Sequence, residues 1–258
     1  PSAAASSPPP AGFARAHAAT GPPRPPALSN TSVPLLPPPV PPLPPPFIGR
    51  AWPGPVAWPD FVGGGPPVAD FWSASIRAFH ALAPFDGLWI DMNEPSNFND
   101  GNGREGGGEG LAAVARRRRR LVASSTPSSS TVPFPQYPPN NGGVRLPLNS
   151  HTVPPEVVSA DGSTPTLDTH NLYGHAEAAA THAALLSLAP GRRPFILTRS
   201  SFVGTGAYAA HWTGDNAATW ADLAWSISGV LASGLAGLPM AGADVCGFSG
   251  NTTAELCG

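Results

Sequence analysis

Three short apolar runs, each approached through a helix-patterned segment, constrain the fold of this chain more than any other feature. Gly87-Leu-Trp-Ile90 leads directly into a carboxylate, Asp91. Pro194-Phe-Ile-Leu-Thr198 has the composition of a buried strand, and Leu238-Pro-Met-Ala-Gly-Ala-Asp244 is strand-like and again ends in an acid. Ahead of the first run, Val68–Leu82 follows the break at Pro66-Pro67 and contains neither Pro nor Gly. It carries Phe71, Trp72, Ile76, Phe79 and Leu82 at helical spacing, and Pro84 ends it. Ahead of the second, Ala176–Leu188 is helical by propensity and stops at Pro190-Gly191. Ahead of the third, Trp220–Leu231 places Trp220, Leu223, Ile227 and Leu231 along one face. Helices and strands that alternate, with acids at the strand C-termini, predict an α/β fold of the (β/α) barrel type, with its working face at those acids.

Not all 258 residues fit that pattern. The 36 Pro and 29 Gly make up about a quarter of the chain, close to low-complexity composition. Residues 1–46 are rich in Pro, Ala and Ser and culminate in Pro37–Pro46. Polyproline II is the only regular conformation open to that run, because Pro lacks the N–H that helices and sheets need. It is expected to be a low-complexity linker, or a stretch outside the true coding sequence, rather than an SH3-type ligand, which leaves residues 47–258 as the folded domain. Within that domain residues 99–165 are expected to form an irregular insertion, Gly-rich at first, then Arg116–Arg120, then rich in Ser and Pro. In a chain of net charge −2 such an Arg run reads as a solvated surface excursion.

The same net charge argues against nucleic acid as a partner. No apolar run has the length of a membrane span. The N-terminus has neither an initiator Met nor a signal-like organisation, so the chain is expected to be a piece of a longer polypeptide. Cys246 and Cys257 could be two free thiols or one short-loop disulfide, and the spacing leaves both open. Asn30-Thr-Ser32 and Asn251-Thr-Thr253 fit the N-glycosylation pattern and point weakly to secretion.

The chemistry concentrates in two motifs. Trp89-Ile-Asp-Met-Asn-Glu-Pro-Ser-Asn-Phe98 holds Asp91 at a strand end, and His211-Trp-Thr-Gly-Asp-Asn216 holds Asp215. Two such acids beside aromatic rings suit the cleavage of a glycosidic bond. Glu94 lies too near Asp91 in sequence to face it across a scissile bond. Asp100, Asp86 and Asp222 read as loop, strand-edge and helix-surface carboxylates. His170, His175 and His182 lack metal-ligand spacing with an acid pair and read as structural.

These motifs, with Arg199-Ser-Ser-Phe202 and Gly242-Ala-Asp-Val-Cys-Gly-Phe248, closely resemble glycoside hydrolase family 31 over about residues 47–98 and 169–258. Within it the chain looks most like the acid α-glucosidases and maltases, including plant α-glucosidases and related α-xylosidases. The resemblance implies a partial (β/α)8 TIM barrel and a retaining mechanism, with Asp91 as nucleophile and Asp215 as acid/base. It implies that Trp52, Trp89, Met92, Arg199, Trp212 and Asp244 bind substrate, with Glu94 and His211 in support. It also implies pairing of Cys246 with Cys257, and hence a secretory setting, vacuolar/lysosomal or extracellular. Substrates would be maltose, malto-oligosaccharides and starch-like glucans, cleaved at terminal non-reducing glucose without cofactor or metal. An α-xylosidase of the same family and a catalytically incompetent fragment are the alternatives.

Overall fold

The computed structural model describes residues 46–98 and 150–258. The polyproline run up to residue 45, Asn30, Asp100 and Arg116–Arg120 lie outside the described residues. A two-stranded antiparallel hairpin, β1 (Gly49–Ala51) and β2 (Gly54–Val56), comes first. Helix α1 (Gly65–Leu82) and strand β3 (Gly87–Ile90) follow. After residue 150 come a one-turn helix α2 (Thr166–Thr169), helix α3 (Tyr173–Leu188) and strand β4 (Phe195–Thr198). Strand β5 (Ala210–Trp212), helix α4 (Trp220–Leu235), strand β6 (Ala241–Gly242) and a terminal turn α5 (Ala254–Cys257) complete the order.

Strands β3 to β6 form one four-stranded sheet in sequence order, every pair parallel. Side chains alternate across it, so Leu88, Ile90 and Ile196 join a core with Ile76 of α1 and Ala178, Ala184 and Leu185 of α3. The Trp72 indole N–H donates to Thr181 Oγ1 at 2.9 Å, which gives a fully buried hydroxyl a partner between the two helices. The opposite sheet face carries Trp89, which is 63% exposed. Among the described residues no helix is long and apolar enough to cross a membrane.

The expected strand at Gly87–Ile90 is found with those limits, and Pro194–Thr198 loses only its first residue. Helix α1 begins earlier than Val68, because Pro66 and Pro67 occupy its first turn, where the missing N–H groups would be unbonded anyway. The Leu238–Asp244 run contributes only two residues to the ladder. Pro239 cannot donate, and the Leu238 N–H turns back to Ser233 O. The hairpin and β5 escaped the periodicity argument: the first contains Pro55, and the second is three residues long.

Residues 150–165, the end of the expected insertion, are irregular yet packed. Thr152 and Val153 are buried, and Ser96 pairs with Thr152. The apolar stripe of α4 also differs from a core stripe, since Trp220, Leu223, Ile227 and Leu231 are all exposed. Thr219 caps α4, and Asp222 lies in its first turn: the Asp222 N–H donates to Thr219 Oγ1 at 3.1 Å, and that hydroxyl donates to the Asp222 carboxylate at 2.9 Å.

Helix α3 approaches the chain beyond β4 through Gly174, where a Cβ would lie 2.6 Å from Ser200 Cβ and 2.8 Å from Ser200 O. Gly174→Ala therefore overpacks this contact and should cost about 1–3 kcal/mol. Gly234 in α4 meets nothing within 4 Å of such a Cβ, and Gly234→Ala should be neutral or stabilising by up to about 1 kcal/mol. Urea unfolding of both variants checks this, with a lowered midpoint for the first and an unchanged slope for both.

Candidate active site

The parallel register assembles the site. Ile90 pairs with Thr198, so the next residues along, Asp91 and Arg199, are neighbours at the C-terminal end of the sheet. By alternation both follow Trp89 and Leu197 onto the face away from α1 and α3. The Arg199 N–H donates to Ile90 O at 3.3 Å, and Arg199 Nη1 lies 3.0 Å from Asp91 Oδ1. That same oxygen accepts the Met92 N–H at 2.7 Å. Met92 holds φ at 59°, a conformation unusual for a side chain of its size, and this turns the chain immediately after the acid.

Asp215 arrives from β5. The Thr213 N–H donates to Gly242 O at 2.9 Å, and Gly214, at φ 85°, reverses the chain against the Arg199 side chain. Arg199 Nη1 then lies 3.5 Å from Asp215 Oδ1. One nitrogen thus contacts both acids, and their oxygens can be no farther apart than those two distances laid end to end. Glu94 grips the other edge of the guanidinium with two bonds, Nε to Oε1 at 2.8 Å and Nη2 to Oε2 at 3.2 Å. Burial opposes the Arg199 charge, but the bond and charge of Glu94, then Asp91 and Asp215, outweigh it and raise its pKa. With three carboxylates around one guanidinium, the cluster carries net negative charge.

Beneath this surface lies a buried polar layer that the sequence did not advertise. Asn93, 2% exposed, donates through Nδ2 to Thr198 Oγ1 at 2.8 Å and accepts the Ser200 N–H at Oδ1, also at 2.8 Å. Thr198 passes its own hydroxyl proton to Ser200 O at 2.9 Å. Glu177 of α3 is buried near this layer, and burial, countered by Asn93 and reinforced by Glu94, pushes its carboxyl up to about 7. Glu177 was overlooked because it sits in an Ala-rich helix. A single acid among alanines carries no periodic or motif signal.

Trp212 is buried with its ring 5.7 Å from that of Trp89, on the face shared by Asp91 and Arg199. Trp52 stands at the hairpin tip, largely exposed, its ring edge-on to Phe98 at 4.9 Å. Asp244 is half-buried beyond β6; its carbonyl accepts Asn216 Nδ2 at 3.2 Å, which ties its loop to that of Asp215. His211 Nδ1 lies 3.2 Å from Thr198 O, and burial lowers its pKa, so it is a neutral imidazole around neutral pH. Cys246 and Cys257 form a disulfide that closes the loop after Asp244 onto α5. Among the histidines, His175 meets Thr205 Oγ1 at 2.9 Å, His170 meets Thr152 Oγ1 at 2.9 Å, and the His182 ring packs on Tyr208.

Comparison with known proteins bears on the fold and the family. A probable alpha-glucosidase of Oryza sativa subsp. japonica is 49% identical over 211 residues, covering 82% of this chain and 21% of that protein. Alpha-xylosidase 1 of Arabidopsis thaliana is 43% identical over 218 residues, covering 82% and 23%. The chain thus spans about a fifth of the length of these relatives. In three dimensions it matches the crystal structure of a glucosidase II alpha subunit in an alpha3-Glc2-bound form. That match has a TM-score of 0.58 and 33% identity, and it covers 82% of this chain and 18% of that one. The parallel sheet, with helices over one face and charged residues at its C-terminal end, is part of a barrel. The profile of the glycosyl hydrolases family 31 TIM-barrel domain matches residues 43–258, and the chain belongs to that family.

Proposed function

We propose that residues 47–258 are the central catalytic segment of a retaining α-glucosidase acting on terminal, non-reducing α-linked glucose of oligo- or polysaccharides. The observation that carries this is the single Arg199 nitrogen in contact with both Asp91 and Asp215. It limits the two contacted Oδ1 oxygens to a separation of at most about 6.5 Å, which is compatible with the close spacing of direct attack.

In this reading Asp91 is the nucleophile. With Oδ1 held by Arg199 and the Met92 N–H, Oδ2 is the oxygen left to attack the anomeric carbon. As that C–O bond forms and the glycosidic bond breaks, Asp215 gives its proton to the leaving oxygen. Water then attacks the glycosyl-enzyme, Asp215 takes the proton, and Asp91 leaves as carboxylate. The positive charge that develops on the sugar ring is stabilised by the negative cluster around Arg199. Glu94 holds Arg199 in place, Trp89 and Trp212 offer ring surface to the sugar, and Asp244 accepts from hydroxyls. Trp52 reaches the same sugar from the hairpin tip, and Met92 borders it beside Asp91. The disulfide supports an oxidising, secretory compartment, vacuolar/lysosomal or extracellular.

Relatives named for glucose and for xylose stand at similar identity, so the sugar is decided by assay. 4-Nitrophenyl α-glucoside should be cleaved in preference to the α-xyloside, and a reversed preference makes the chain an α-xylosidase. Asp91→Asn should lose more than about a thousandfold in kcat, and a cyclophellitol-type epoxide should label the Asp91 peptide. Labelling elsewhere, or equal background rates for both proteins, refutes the assignment.

Asp215→Asn separates the second role. Its kcat/KM toward maltose should fall by about 10²–10⁴ but much less toward a 4-nitrophenyl glucoside, whose leaving group departs without a proton. Equal losses on the two substrates would remove Asp215 as the acid. Arg199→Lys keeps the charge but cannot bridge Glu94 and both acids at once, and should lower kcat by about 10- to 100-fold with a smaller change in KM.

A further inference from the structure

We infer that Asn216 is a positioning residue for Asp215, and that the disulfide-closed loop Cys246–Cys257 acts on the acid through it. The inference rests on the acid/base role proposed for Asp215 and adds what fixes that carboxyl in place. Asp215 is held only loosely by its own side chain. The carboxylate is 53% exposed, and its hydrogen bond among the described residues is the long one from Arg199 Nη1, 3.5 Å. Its place is therefore set by the backbone on either side of it.

Upstream, the Thr213 N–H reaches Gly242 O of β6 at 2.9 Å. Downstream, the bonds converge on Asn216. Its carbonyl accepts two N–H groups of the loop, Phe248 at 2.7 Å and Ser249 at 3.1 Å, and its Nδ2 donates to Asp244 O at 3.2 Å. Asp244 O also takes the Gly247 N–H at 2.8 Å, so one carbonyl joins the turn of the loop to the Asn216 side chain. The Ala218 N–H then donates to Ser249 O at 2.8 Å. Gly247, at φ 110°, sits so close that a Cβ on it would meet the Ala218 backbone, Cα at 2.5 Å and N at 2.6 Å. Residues 244–249 are thus folded around residues 216–218, the three that follow the acid.

Two features point to positioning rather than packing. Asn216 Oδ1 is buried with no hydrogen-bond partner among the described residues. An apolar side chain of similar size would avoid that cost, so burial does not account for an amide here, whereas the Nδ2 bond across to Asp244 does. The other feature is how the loop is closed. Among the described residues the hydrogen bonds of α5 stay within residues 253–258, as in the Leu256 N–H on Thr253 Oγ1 and the Cys257 N–H on Thr253 O, both at 3.1 Å. The disulfide, and not a hydrogen bond, joins α5 to the stretch that grips Asn216. Opening it frees the chain beside the two N–H donors on Asn216 O. A carboxyl that has to reach a leaving oxygen loses rate steeply with small displacements, and only a substrate that needs the proton feels the loss.

Asn216→Leu, the double variant Cys246→Ser/Cys257→Ser and Asp215→Asn, each in the whole chain, test this against wild type. Asn216→Leu and the double variant should lose about tenfold or more in kcat/KM toward maltose. Toward 4-nitrophenyl α-glucoside, whose leaving group departs unprotonated, they should lose less than about threefold. Equal losses on the two substrates in Asn216→Leu, or wild-type activity on maltose, overturn the inference. Amide hydrogen exchange reads the same coupling without turnover. The Phe248, Ser249 and Ala218 N–H groups should exchange at least about tenfold faster in the double variant, with the amides of β3 and β4 at wild-type rates. Unchanged exchange at Phe248 and Ser249 overturns the part given to the disulfide. Should Asp215→Asn itself lose equally on both substrates, the acid assignment fails, and exchange alone then judges the tie between loop and Asn216. Faster exchange at those amides, in a chain that cleaves neither substrate, sustains that tie and defeats the glycosidase reading instead.

Discussion

The ladder between β3 and β4 is what the rest of the site depends on. A parallel pair in any other register would place Asp91 beside a different residue or on the helix-covered face, because side chains alternate with a period of two. With Ile90 opposite Thr198, the acid and the guanidinium emerge side by side on the open face. Everything else attaches to that pair. Glu94 reaches back from the turn after Asp91, and Asp215 reaches across from β5 after the reversal at Gly214.

The ladder is held from behind by small residues as much as by large ones. Gly174 and Ala178 let α3 come close to the sheet, and Thr181 meets Trp72 of α1 in a bond shielded from water. At the charged end of the sheet Asn93 joins Thr198 and Ser200, so the arms after β3 and β4 share one buried network. A buried network of this kind is rigid only while every member is bonded. Under the proposed mechanism, which needs two acids at a fixed separation, such rigidity is a functional property.

Much of this was legible in the residues. The strand at Gly87–Ile90 and the helix ending at Leu82 follow from local pattern, since a short apolar run and a Pro are signals within a few residues of the element they define. Asp91, Asp215 and Arg199 were singled out by motif, and they meet in space. Strand β5 and the hairpin were not legible, because three-residue strands are defined by their partners and not by their own composition. The α4 stripe shows the converse: spacing identified a face, but spacing says nothing of what lies against it, and Trp220, Leu223, Ile227 and Leu231 are exposed.

By itself the sequence determined which segments alternate as helix and strand and which acids close the strands, because both are written in short-range periodicity and composition. Only the tertiary structure decided that Arg199 joins Asp91, Glu94 and Asp215, and that Glu177 lies beneath them. Those contacts span more than a hundred residues in the case of Glu94 and Arg199. They arise from parallel register and close helix packing, and neither leaves a mark on the local pattern of side chains.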